Sequence, residues 1–218
     1  MFPSPAPDRC VMLLLRHGAT EANIAQPPVL QGRGMNLGLA PIGQRQAELT
    51  AKFLSQIACE RWFASPLRRA QETAEVLRQA QANAAQRDIE TLAALTEVDV
   101  GRWEGRSLLE IQANDTEAHA KFLQDAGRFG YADGETLTNV RDRVLPTFDS
   151  LLEENRGRRI LVVAHNIVNR AFLCHLLGIP LANYRAVTQD NCGITVVERD
   201  PKATVVRSVN IVTHLAEL

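Results

Sequence analysis

No stretch of the 218-residue chain approaches the ~20 apolar residues that a membrane-crossing helix needs, so no membrane partner is expected. Lysine is almost missing: Lys52, Lys121 and Lys202 are the only three among 24 basic residues. Net charge is −1 and no run of like charge marks a tail, which argues against a nucleic-acid surface. The shortage of lysine makes arginine abundant, so an arginine is informative here only through its position. Cysteine is sparse. Cys10, Cys59, Cys174 and Cys192 are widely spaced, with no CxxC or Cys/His pairing suited to zinc, and read as buried thiols of a reducing compartment. The proline-rich segment from Met1 to Cys10 lacks the apolar core of a signal peptide. Residues 1–9 are therefore expected to be a disordered lead-in, and the protein is expected to be cytoplasmic.

What remains is ordinary for a globular chain: 45% hydrophobic and 22% charged residues, enough for one substantial core in a single domain over residues 10–218. Val11 to Leu15, Arg61 to Ala64 and Arg159 to Ala164 are short apolar runs that read as buried strands. Helices are expected from Pro41 to about Ile57, from Pro66 to Gln81, and from about Ile167 to Leu177, the last closed by Gly178. Asn83 to Asp88 reads as a turn, and Ile89 to Leu95 as a shorter strand. Gly193 to Glu198 and Thr204 to Val209 are β-branched runs flanking Asp200-Pro201, and they read as a terminal hairpin. Strands alternating with helices imply an α/β three-layer sandwich, a mainly parallel sheet with helices on both faces. Residues 107–155 are mostly helical, broken near Gly127 to Gly134, and are expected to form a small helical cap.

Three strand ends carry matching chemistry, and ligand sites in open α/β sheets lie at such ends. Arg16-His17-Gly18 follows the first strand, with Gly18 allowing a tight turn. After the second, Ser65 suits an N-cap and Pro66 the first helical position, which puts Arg68 in a first turn whose free N–H groups already favour an anion. His165-Asn166 follows the third. Arg16, His17, Arg68 and His165 together describe a phosphate pocket containing imidazole. Arg69, one residue along the same helix, is expected to point to solvent.

Five segments in this order resemble the histidine phosphatase superfamily, in its phosphoglycerate-mutase-like branch. They are Leu15 to Asn23, Leu30-Gln31-Gly32-Arg33, Ser65 to Ala74, Glu97 to Gly105, and Val162-Val163-Ala164-His165. The resemblance runs from about Val11 to Val197. It implies hydrolysis of small phosphate monoesters, with no metal and no cofactor, through a phosphohistidine on His17. Neutral imidazole attacks phosphorus well, provided its other nitrogen's hydrogen has an acceptor. Arg16, Arg68 and a protonated His165 would then clamp the transferring group. Glu97 is the implied general acid, with Asp99 and Glu104 close enough in sequence to compete. Gly18, Asn23, Gln31, Gly32 and Asn166 are the implied substrate contacts, and Arg33 and Arg102 are candidates for acidic groups on a substrate. Asn166 is a departure, because the family most often has glycine after the second histidine.

The alternatives are mutase-type phosphoryl transfer and a non-catalytic module that binds phosphate ligands. Only a short loop follows Gly105, whereas family mutases usually carry additional enclosing segments. Retention of both His17 and Glu97 argues against a non-catalytic module. The expected partner is a small phosphorylated metabolite.

Overall fold

A computed structural model describes residues 2–81 and 88–218. The element order is β1 (Cys10–Arg16), α1 (Glu21–Ile24), α2 (Pro41–Leu54), β2 (Arg61–Ala64), α3 (Arg68–Gln79), β3 (Ile89–Thr91), α4 (Leu108–Asn114), α5 (Thr116–Gln124), α6 (Leu137–Glu154), β4 (Arg159–Ala164), α7 (Asn166–Leu177), β5 (Ile194–Arg199) and β6 (Thr204–Ile211). The strands form one sheet in the order β3-β2-β4-β1-β5-β6. Pairings β3/β2, β2/β4 and β4/β1 are parallel, whereas β5 and β6 join as an antiparallel hairpin edge. The expected α/β sandwich and terminal hairpin are both present. The expected Asn83–Asp88 turn lies, except for Asp88, outside the described residues. The strand expected over Ile89 to Leu95 is shorter, giving way to a 3-10 turn at Ala93–Leu95.

Side-chain alternation along β1 makes the two cores. Cys10, Met12 and Leu14 face the layer holding Val140, Val144 and Phe148 of α6 and Phe172 of α7. Val11, Leu13 and Leu15 face the opposite layer, with Ala47 and Leu54 of α2 and Ala70, Ala74 and Leu77 of α3. Burial on both faces explains why β1 and β4 read as unbroken apolar runs rather than alternating ones. Helices α4 and α5 lie on the first layer, with Ile111 and Phe122 buried beside Trp103 and Tyr131. They lie where the helical cap is expected, and Leu108 of α4 and Phe122 of α5 line a cavity.

Residues 2–9 are not the loose lead-in that their composition suggests. The Pro3 carbonyl accepts from Arg159 Nη2 at 2.6 Å, Arg9 pairs with the buried Glu198 at 2.9 Å, and Phe2 packs edge-on against Phe53. Proline there removes regular secondary structure without preventing packing, because each carbonyl can still accept. Among the described residues no helix is long and apolar enough to cross a membrane.

Candidate active site

The carboxyl ends of β1 and β4, neighbours in the sheet, meet at one cavity of about 220 Å³. Arg16, His17, Asn23, Gln31, Glu97 and Asn166 line it, together with apolar and aromatic side chains from the cap. His17 is 3% exposed, and its Nδ1 lies 2.8 Å from the Gly18 carbonyl oxygen. A carbonyl only accepts, so Nδ1 carries the hydrogen and Nε2 holds the lone pair. Burial, reinforced by the neighbouring Arg16 and Arg69 charges, holds His17 well below the ordinary imidazole range. The ring is therefore neutral at pH 7, with its lone pair on Nε2.

Arg69, not Arg68, is the guanidinium at this nitrogen. Its Nε–H donates to His17 Nε2 at 3.2 Å, while Nη1 donates to the Met35 carbonyl at 3.0 Å and Nη2 to that of Gly32 at 3.1 Å. Arg69 is fully buried. The Arg68 side chain is 65% exposed and pairs with Glu72 at 2.6 Å. The correction has a geometric cause. Helix α3 begins at Arg68 rather than Pro66, and its buried face runs Arg69, Ala70, Thr73, Ala74 and Leu77. Arg68 falls in line with Glu72, four residues on, on the solvent side. Ser65, expected as the cap, instead accepts from Leu67 N–H at 3.3 Å. A consequence can be measured. Arg69→Ala is expected to reduce kcat/KM by about 10^2- to 10^3-fold, as for the loss of one preorganised donor, whereas Arg68→Ala should stay within about threefold of wild type. Comparable losses in both variants would remove this assignment.

His165 is fully buried, with its ring centroid 5.1 Å from that of His17. Its Nε2 lies 2.7 Å from Ser65 Oγ, and its Nδ1 is buried without a partner. A Ser65 hydroxyl donating to Nε2 places the imidazole hydrogen on Nδ1, which leaves that N–H available for an oxyanion. Burial, with Arg69, His17 and Arg16 adding to it, holds His165 well below the ordinary range. The expected third cation is thus a neutral donor. Arg16 donates through Nη1 to the Gln189 carbonyl at 2.8 Å, and its Nε is buried and unsatisfied. Burial brings its pKa down to about 10, so it remains charged at neutral pH.

Glu97 is 3% exposed. Its Oε1 accepts from Val98 N–H at 2.9 Å and its Oε2 from Ile167 N–H at 3.3 Å. Burial raises its pKa against the opposing pull of those bonds and of Arg69 and Arg16. Its two competitors are engaged elsewhere. Asp99 pairs with Arg33 at 2.6 Å, and Glu104 accepts from the Gly32 and Gly34 N–H groups at 2.7 and 3.1 Å. Arg102 is tied to Asp115 and Asp133 in exposed pairs. Neither Arg33 nor Arg102 lines the cavity.

Of the expected substrate contacts, Asn23, Gln31 and Asn166 line the cavity, and Asn166 Oδ1 is buried without a partner. Gly18 and Gly32 do not line it. A Cβ on Gly18 would lie 2.6 Å from the Gly43 carbonyl oxygen, and one on Gly32 would lie 2.6 Å from that of Val98. Both glycines are required by close backbone packing that shapes the His17 and Arg69 surroundings. Sequence reasoning overlooked Asn191, whose Nδ2 donates to the His17 carbonyl at 2.9 Å and to Asn23 Oδ1 at 3.3 Å. It also overlooked Tyr131, Tyr184 and Arg185, which reach the cavity from segments without a motif. Among the described residues no group of three or more His, Cys, Asp or Glu side chains is placed to hold a metal ion.

The model of the histidine phosphatase superfamily (branch 1) matches residues 12–212. Phosphoserine phosphatase 1 of Hydrogenobacter thermophilus is 27% identical over 209 residues, 94% of each chain. A glucosyl-3-phosphoglycerate phosphatase of Mycolicibacterium vanbaalenii is 30% identical over 180 residues, 79% of this chain and 76% of that one. Among solved structures, YhfR of Bacillus stearothermophilus superposes with a TM-score of 0.85 at 26% identity, covering 94% of this chain and 99% of the other.

Proposed function

This chain belongs to the histidine phosphatase superfamily, as a metal-independent phosphomonoesterase of small phosphate esters, and we propose that its reaction passes through a phosphohistidine on Nε2 of His17. One observation carries the proposal: Nδ1 is committed to the Gly18 carbonyl, which leaves the lone pair on Nε2 of a neutral, buried ring that lines the cavity beside Arg16 and Glu97.

The phosphoryl group enters with Arg16, Arg69 and His165 Nδ1 around its three non-bridging oxygens, where transition-state charge spreads. The Arg69 Nε–H keeps its proton and redirects its hydrogen bond from Nε2 to one of those oxygens, which uncovers the lone pair. The Nε2–P bond forms as the ester P–O bond breaks, and protonated Glu97 gives its proton to the departing alkoxide. Water then attacks phosphorus as the N–P bond breaks, and the Glu97 carboxylate takes the proton from that water. Inorganic phosphate leaves with His17 and Glu97 restored. The cavity is smaller than the ~300–1,000 Å³ typical of drug-sized ligands, which favours compact esters. Only Arg106 and Ser107 separate Gly105 from α4, so no additional enclosing segment intervenes, as transfer back to an alcohol rather than water would require. Four buried cysteines support a reducing, cytoplasmic setting.

The test is direct. Rapid mixing with an aryl phosphate in excess chelator, followed by an alkaline quench and peptide mass spectrometry, should place a phosphoryl group on the peptide containing Arg16-His17-Gly18. A phosphoryl group on His165 instead, or turnover abolished by chelator and restored by a divalent metal, would overturn the reading.

A further inference from the structure

The cavity holds more positive charge than one phosphate ester can use. Arg16, Arg170 and Arg185 line it, and Arg69 touches His17. Among the described residues none of these four forms an ion pair with a carboxylate. Most arginines away from the cavity, such as Arg9, Arg33, Arg61, Arg102 and Arg143, do, and those that do not, Arg106, Arg128, Arg158 and Arg159, are not gathered around one cavity. Arg16 and Arg69 are accounted for by the transferring phosphoryl group, which carries about −1.5 to −2 charge at neutral pH. Glu97, the one acidic side chain among the described residues that line the cavity, is the general acid of the proposed reaction. Arg170 and Arg185 are left without a counter-charge.

These two are placed together. Arg170, one turn into α7 from His165, uses Nε to donate to the Val187 carbonyl at 2.8 Å, and its guanidinium lies 5.5 Å from the Tyr184 ring centroid. Arg185 lies 4.9 Å from the same centroid and 5.5 Å from that of Phe122 in the cap. Aromatic faces steady both cations but leave their charge unneutralised. Burial lowers Arg170 from its ordinary value, and the adjacent Arg185 charge adds to that. Two unpaired guanidiniums around one tyrosine repel each other, and an anion between them removes that repulsion while gaining charge-assisted hydrogen bonds.

We propose that Arg170 and Arg185 form a subsite for a second anionic group, a carboxylate or another phosphate, on the alcohol part of the ester. The inference rests on the reading that Arg16, His17 and Arg69 take the scissile phosphoryl group. It makes the preferred substrates compact phosphate esters of hydroxy acids, or bisphosphates, rather than of neutral alcohols. Arg170, partly buried and tethered, sets the position of the anion. Arg185, at the exposed rim, meets it on entry.

The experiment compares three esters of one three-carbon skeleton: glycerol 3-phosphate, 3-phosphoglycerate and propane-1,3-diol bisphosphate. At least one of the two esters that carry a second anionic group should exceed glycerol 3-phosphate by about 30-fold or more in kcat/KM, chiefly through KM, and the better of the two identifies the second anion. Arg170→Gln and Arg185→Gln should each shrink that ratio by about tenfold. Equal use of all three esters by wild type overturns the subsite but leaves hydrolysis standing. Variants that lose activity on all three esters in the same proportion also overturn it, because the arginines would then be structural. Failure to hydrolyse any of the three, or an aryl phosphate, overturns the hydrolytic reading and the subsite with it.

Discussion

His17→Ala is expected to lower kcat by about 10^4- to 10^6-fold, the scale on which removing a covalent nucleophile acts in a preorganised site. The loss corresponds to about 5–8 kcal/mol of transition-state stabilisation. Its size follows from what remains. Arg16, Arg69 and His165 still hold the phosphoryl group, but water would have to attack directly, with no base at the position of Nε2. The variant should fold, because the His17 side chain contributes two hydrogen bonds, Nδ1 to Gly18 and Nε2 from Arg69, and Arg69 keeps its bonds to Met35 and Gly32, while the His17 backbone stays held by the Ala164 carbonyl at 3.1 Å and by Asn191. Alanine also leaves a cavity among cations. Added imidazole should enter that space and restore part of the turnover of an activated aryl phosphate, accumulating free phosphoimidazole as it does so. Retention of more than about 1% of wild-type kcat without imidazole would show that another group attacks phosphorus, since general acid–base assistance alone supplies about 10^2- to 10^4-fold.

The legible part of this protein was the part written in local chemistry. The β1 run, the triplet Arg16-His17-Gly18 and the β4 end at His165 were readable because doubly buried strands are continuously apolar, so a polar residue ending one is conspicuous. Choosing between Arg68 and Arg69 required helix phase rather than a motif. The signal was present in the sequence: Ala70, Ala74 and Leu77 mark the buried stripe, Glu72 and Glu75 the exposed one, and Arg69 shares the buried side with Thr73, four residues on. Ser65 and Pro66 have the chemistry of a helix start, but α3 begins two residues after Pro66. Asn191, Tyr184 and Arg185 lay beyond such reasoning. They sit in connections whose course over the cavity is decided by how α7 and β5 pack, and no spacing rule records that. The same limit applied to Gly18 and Gly32. Their closeness to Gly43 and Val98 is a tertiary fact, so glycine in the loop could only be read as room for a ligand.

Glu97→Gln should separate esters by their leaving groups. A general acid contributes about 10^2- to 10^4-fold, in proportion to how much the departing oxygen needs a proton. An alkyl alcohol leaves as a strongly basic alkoxide, whereas an activated nitrophenolate departs without help. The variant keeps the side-chain shape but loses the transferable proton. It is therefore expected to lose about 10^2- to 10^4-fold in kcat/KM on an alkyl ester and about tenfold or less on nitrophenyl phosphate. The pH profile gives an independent sign. Burial raises Glu97 above the ordinary carboxyl range, so in wild type the acid is present at low pH and is lost as pH climbs through its raised value. His17 is held below the ordinary imidazole range, so the nucleophile stays unprotonated until pH falls well under 6.5. Activity on the alkyl ester should form a bell whose basic limb reports Glu97 and whose acidic limb reports His17. In Glu97→Gln the basic limb should vanish while the acidic limb stays. Asp99 and Glu104 are committed to Arg33 and to the Gly32–Gly34 backbone, so neither is placed to replace Glu97. Equal losses on both esters, with the basic limb unchanged, would make Glu97 a positioning group and leave the proton to a bound water.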